Sequence, residues 1–205
     1  MARVMSMLQQ EPITQRFYLG FERARRKLAS SMRGGPADLR QREAMALTWL
    51  LRLVVLYFLQ GRGALASDRW FLGRRLAQAQ TMGGDLFEEV IKPLCFGALS
   101  LQFEDRAAEV QALGAVPFLN GGLFEPSAYE RAFPEVRWDV GVWEGILATS
   151  FEPYSFELRE PLDGVCSTSI DPEMLGKVFE SLMCQERRSR TGAYYTPSWL
   201  VKQIV

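Results

Sequence analysis

Cationic side chains recur along the first stretch of this sequence: Arg16, Arg23, Arg26, Lys27 and Arg33. Their spacing puts them mainly on one side of a helix, opposite Ile13, Phe17, Phe21, Ala24, Leu28 and Met32. Guanidinium and ammonium groups in such a row neutralise successive phosphates, so the face suits a nucleic-acid backbone. The same pattern describes an ordinary solvated face, and both readings stay open at this level.

Composition closes off other chemistries. Histidine is absent from the 205 residues. That removes imidazole acid–base work, Ser-His and Cys-His nucleophile pairs and histidine metal sites. Cys95, Cys166 and Cys184 show no C-x-x-C spacing and read as reduced thiols of a cytosolic protein. No Glu-x-Lys or Asp-x-Lys occurs, as a metal-bound nuclease core would need, and no P-loop. Gly61-Arg62-Gly63-Ala64-Leu65-Ala66 spells G-x-G-x-x-A, but that motif follows a strand, and here a long helix precedes it. No catalytic residue and no metal ligand is assigned. The formal net charge is zero, so any attraction to DNA must come from local patches. The N-terminus lacks the apolar core of a signal peptide.

The elements that carry these residues read as helices. The first runs from Thr14, as N-cap, to about Met32, and Gly34-Gly35-Pro36 ends it. The second spans about Ala37 to Gln60 and is apolar from Ala44 to Leu59 except at Thr48 and Arg52. A membrane span is the rival reading, but the run is shorter than the roughly 20 residues a span needs and holds an arginine. A buried central helix is therefore expected. Asp68 is expected to cap a short helix through about Ala79. Asp85 is expected to cap another to about Leu101, kinked at Pro93. Glu104 to Gln111 adds a helix or turn. Val116 to Leu119 is expected to be a short strand or extended run, and Asn120-Gly121-Gly122 is a turn signal. Next come a helix from about Val136 to Ser150, capped by Asp139, and a strand at Phe156-Glu157-Leu158. Asp171-Pro172 and Thr196-Pro197 each carry a helix-start signal. With 48% hydrophobic residues, the expected fold is mainly α: a multi-helix bundle with one or two short β segments. The expected division is a helical bundle over 1–113, a second helical part with short strands over 114–184, and a basic linker with the start of a helix over 185–205.

Three runs, taken in order, resemble the segment ahead of the catalytic core in bacterial N6-adenine DNA methyltransferases of the restriction–modification and phage-defence type. They are Phe118-Leu119-Asn120-Gly121-Gly122-Leu123-Phe124-Glu125, Ile170-Asp171-Pro172-Glu173-Met174-Leu175-Gly176 and Thr191-Gly192-Ala193-Tyr194-Tyr195-Thr196-Pro197. With weaker matches, the likeness covers most of the chain.

The resemblance implies S-adenosylmethionine as cofactor of the parent enzyme and DNA as its partner. It implies Tyr195, Thr196 and Pro197 as the turn that lies against the cofactor. The Thr196 hydroxyl and the unpaired N–H groups of its helix N-terminus suit a methionine carboxylate. The rest of that chemistry is missing: a glycine-rich turn for the cofactor, an acid for its ribose, and an Asn/Asp-Pro-Pro-aromatic run for a flipped adenine. Residues 185–205 then read as the linker and first helix of a truncated methyltransferase domain. The expectation is a fragment inactive alone, with no cofactor bound, that supports the missing methyltransferase domain and reaches DNA through the parent, with no membrane partner. The alternative is a stand-alone helical module that docks DNA or a protein without catalysis.

Overall fold

The computed structural model describes residues 2–119, 122–156, 169–170 and 176. They are mainly helical, with one pair of two-residue strands. The chain divides into two compact units, one of Leu19–Pro153 and one of Met1–Tyr18 with Tyr154–Val205. The boundary expected at Gly114 falls inside the first of these.

Helix α1 covers Ala2–Ser31. The expected apolar stripe is the buried one: Ile13, Phe17, Phe21, Ala24, Leu28 and Met32 are all in the core. The start differs from expectation, because Thr14 is inside the helix rather than its cap. Ala, Arg, Met, Leu and Gln dominate residues 2–10 and favour helix. Extending a helix past Pro12 forfeits one hydrogen bond, whereas a fresh start needs a new nucleus.

In the larger unit, α2 (Leu39–Gly61) is the central helix. Asp38 caps it by accepting from the Arg40 N–H at 2.9 Å. Met45, Trp49, Leu50, Leu53 and Leu56 are buried, and each large aliphatic side chain contributes about 1.5–3 kcal/mol by leaving water. Among the described residues α2 alone has the length and composition to cross a membrane, yet more than half of its apolar window is buried within the protein. Helix α3 (Phe71–Met82) packs on α2 and on α6 (Val142–Ser150) through Phe71, Leu72 and Leu76.

Between α3 and α6 the chain takes tighter and wider turns. Asp85 accepts from the Phe87 and Glu88 N–H groups, as a cap should. Beyond this cap the chain forms not one kinked α-helix but two π-helical stretches, Phe87–Ile91 and Pro93–Leu99. Pro93 has no N–H to give, and the wider turns accommodate it. A 3-10 turn (Phe103–Asp105) and the short α4 (Ala108–Gln111) come next. The run 115–119 is irregular rather than a strand, and its Leu119 N–H donates to the Leu99 carbonyl at 2.8 Å. Helix α6 begins at Val142 rather than near Val136, with Gly141 at its start (φ 90°) in place of an Asp139 cap. Asp139 is engaged elsewhere.

The core of this unit is aromatic. Phe87 stacks on Trp143 (4.8 Å, 12°), and Trp49 and Trp138 meet them edge-on. In the smaller unit, Phe17 meets Tyr154 and Phe156 edge-on at 5.3 and 5.8 Å. There β1 (Ser155–Phe156) runs parallel to β2 (Ser169–Ile170), pairing Phe156 with Ile170.

Candidate nucleic-acid interface

Helix α1 presents its cations outward because its apolar stripe faces the core. Arg23, Arg26 and Lys27 of the larger unit are exposed, and so is Arg16 of the smaller one. They differ in what holds them. Arg23 donates from Nε to the Leu19 carbonyl at 3.2 Å. Arg26 is 3.9 Å from Glu22 Oε2, a loose contact at 73% exposure. Lys27 has no ion pair among the described residues. These charges are available to an incoming phosphate at little desolvation cost.

Arg33 is different. It lies beyond the helix, in a backbone bridge with Arg137 (2.9 and 3.1 Å), and its guanidinium donates to Asp139 at 2.7 Å. That contact is exposed on both sides, so it breaks readily. Arg25, on the same helix, is not part of the face. It is buried, forked onto Glu22 at 3.0 Å and bonded to Glu43 at 2.9 Å, tying α1 to α2. A cation between exposed cations gives no local signal that it turns inward for acids on two helices.

A buried charge cluster lies against the Leu123–Glu125 backbone. Arg52, in the middle of α2, is fully buried. Its Nε donates to the Leu123 carbonyl at 2.6 Å, and Nη2 donates to the Glu125 carbonyl and to Glu130 Oε2, both at 2.9 Å. Nη1 donates to Glu130 Oε1. The guanidinium also lies 4.4 Å from the Trp49 ring centre and 4.8 Å from that of Phe96. Glu130 is held in turn by α5 (Ala128–Ala132), where it closes a capping box: Ser127 Oγ accepts from the Glu130 N–H, and Glu130 accepts from the Ser127 N–H at 2.7 Å. Burial pushes the Glu130 carboxyl up, but the Arg52 hydrogen bonds, the Ser127 N–H and the Arg52 charge prevail and hold it below the ordinary range.

Nearby, burial pushes the Cys95 thiol up to about 12, with Arg52 opposing and Glu130 adding to the shift. Such a thiol is neutral and not a nucleophile. Thus the Phe118–Glu125 run, a turn by its residues, is clamped from below on its carboxyl side. Gly122–Phe124 is a 3-10 turn, and the Leu123 and Glu125 carbonyls both accept from Arg52. The sequence marks Arg52 only as an interruption of an apolar helix. The Ser-x-x-Glu signature at Ser127 and Glu130 could have shown where its partner sits.

Tyr195, Thr196 and Pro197 lie outside the described residues, as do Cys166 and Cys184 and the remaining residues of both C-terminal runs save Ile170 and Gly176. Among the described residues no cluster of His, Cys, Asp and Glu is placed to hold a metal ion. No family model matches the sequence, and no curated protein or solved structure is significantly similar to it.

Proposed function

We propose that this chain is the helical support region of an S-adenosylmethionine-dependent adenine-N6 DNA methyltransferase of the restriction–modification or phage-defence type. In this reading it is inactive alone, works in the cytoplasm beside a methyltransferase domain, and touches the DNA backbone through the outward cations of α1. The observation that carries the reading is the clamp on the Phe118–Glu125 run. Of the runs that resemble the methyltransferase segment, this is the one that lies among the described residues, save Asn120 and Gly121. Its backbone is held by a buried arginine, an ion pair and a capping box rather than left as a free surface turn. A segment shared for support is expected to be anchored in this way, because a partner domain needs a surface of fixed shape.

The test is made in the source organism. Deleting the gene and mapping N6-methyladenine across the genome should remove methylation from one sequence motif. A methylome unchanged by the deletion overturns the reading. The purified chain should transfer no labelled methyl group to DNA and should not bind S-adenosylmethionine at micromolar concentrations.

A further inference from the structure

From Arg69 through Gly84 the chain carries no acidic residue, although the whole sequence has as many acids as Lys and Arg. This stretch contains α3. The inward side of α3 is Phe71, Leu72 and Leu76. The outward side is Trp70, Arg74, Ala77, Gln78 and Thr81, all exposed and spaced i, i+4, i+7, i+8, i+11 along one face. Ordinary solvated helix faces mix Glu with Lys and do not display a tryptophan. Trp70 is 68% exposed, at the very start of the helix.

Two carboxylates beside this helix, Asp68 and Glu152, are each hydrogen-bonded. Asp68 accepts from the Trp70 N–H and from Arg74 Nε, both at 2.7 Å, and pairs also with Arg74 Nη2, which holds the guanidinium at the N-terminal end of the helix. Glu152, against Gly73 on the flank, accepts from the Tyr57 hydroxyl at 2.6 Å. Arg62 and Arg69 sit exposed on the loop that leads into the helix, with Arg69 braced on the Gly61 carbonyl at 2.9 Å.

We infer that α3 lies in the major groove of double-stranded DNA and reads base edges there, with Arg62 and Arg69 on the flanking phosphates. Charge complementarity selects the partner: between Arg62 and Gly84 four arginines stand against one acid, Asp68, and this excess of positive charge suits a polyanion, to which Arg74 would turn by giving up Asp68. The face selects the manner of binding. Arginine pairs with guanine O6 and N7, glutamine with adenine N6 and N7, and the methyls of alanine and threonine with the thymine methyl. A single exposed α-helix fits the groove. The inference deepens the proposed function by naming a sequence-reading element. It is tested on the purified chain without cofactor, so its failure is distinct from that of the methylation reading.

The test uses the full chain, a pool of short randomised DNA duplexes and fluorescence anisotropy at low salt. Wild type should enrich a base preference in the pool. Arg62→Ala with Arg69→Ala should weaken binding to all duplexes alike and lower the salt slope by about one for each phosphate no longer neutralised. Gln78→Ala should leave the salt slope alone and cut discrimination at one base position about tenfold. All these positions are exposed, so thermal melting should match wild type. A pool that stays random, or a base preference that survives both Arg74→Ala and Gln78→Ala, overturns the inference. A face that serves a protein instead would leave duplex affinity unchanged in every variant, and that result overturns it as well.

Discussion

Arg52 and Glu130 are 78 positions apart in the chain, and their side chains meet fork to fork inside the protein, with Nη2 2.9 Å from Oε2. Arg52 is fully buried and the Glu130 side chain nearly so, and each also satisfies backbone groups of the segment between Leu123 and Ser127. Removing one partner leaves a buried charge without compensation. Glu130→Ala is expected to lower stability by about 3–5 kcal/mol, read from urea unfolding followed by circular dichroism. Buried pairs can often be replaced by apolar residues of similar size without loss. Here Arg52→Met with Glu130→Leu should remain destabilised, because the Leu123 and Glu125 carbonyls lose their donors as well. A double variant as stable as wild type would show that those carbonyl bonds contribute nothing.

The pair also sets a pH dependence. The folded Glu130 carboxyl titrates below its ordinary value of 4.5, so its contribution is fully present above that pH and is lost as the pH falls through the lower folded value. Wild type should therefore lose stability on acidification from about pH 4.5 downward. Glu130→Gln should lack that component of the acid response while starting from a lower plateau. Identical acid profiles for the two proteins would remove Glu130 as the titrating group.

Much of this is legible in the sequence. The core stripe of α1 shows because six apolar residues keep one helical period from Ile13 to Met32. The burial of α2 shows in its long apolar run. Arg52 reads locally as a mere interruption, because its partners lie far along the chain and nothing nearby announces them. The start of α6 escapes for a related reason. Asp139 resembles a cap, but it bonds Arg33, and Gly141 in a left-handed conformation opens the helix. The π-helical turns around Pro93 leave no periodic trace, since an i→i+5 pattern over so few residues mimics a kinked α-helix. Of the site, the outward cations of α1 are legible as a face, whereas the inward turn of Arg25 is not.

Cys95 offers a chemical readout of folding. It is fully buried and its thiol is pushed up to about 12, so it should resist iodoacetamide at mildly alkaline pH in the folded protein. Peptide mapping after unfolding in urea should show it alkylated. Rapid labelling of Cys95 under native conditions would mean that its surroundings open locally.

Trp138 and Trp143 lie in one ring cluster but should respond differently to the same change. Trp138 donates from Nε1 to the Leu28 carbonyl at 2.8 Å, whereas Trp143 Nε1 is buried with no acceptor among the described residues. Trp138→Phe strands a carbonyl, and Trp143→Phe removes a donor that had no partner. The first should be the more destabilising, by about 1 kcal/mol beyond their shared loss of ring area. Equal midpoints in urea would contradict this.

The cations of α1 make a separate prediction. Arg23→Glu and Lys27→Glu should each weaken duplex binding and lower the salt slope by about one. Arg25→Ala should instead unfold the protein at lower urea, since it removes the bonds to Glu22 and Glu43. If the charge reversals change neither affinity nor slope, the face is solvated and no more.

The placement of the tryptophans gives the protein a built-in optical contrast. Trp49, Trp138 and Trp143 are sealed in the ring cluster, whereas Trp70, next to Arg69 in the sequence, is exposed. Emission from the cluster should be blue-shifted and insensitive to quenchers. Emission from Trp70 should be red-shifted and quenched by iodide, an anion that the neighbouring arginines concentrate. The difference spectrum between wild type and Trp70→Phe therefore isolates one reporter for the surface of α3, and once Trp199 is also replaced the residual signal follows the core through unfolding, both without an attached dye.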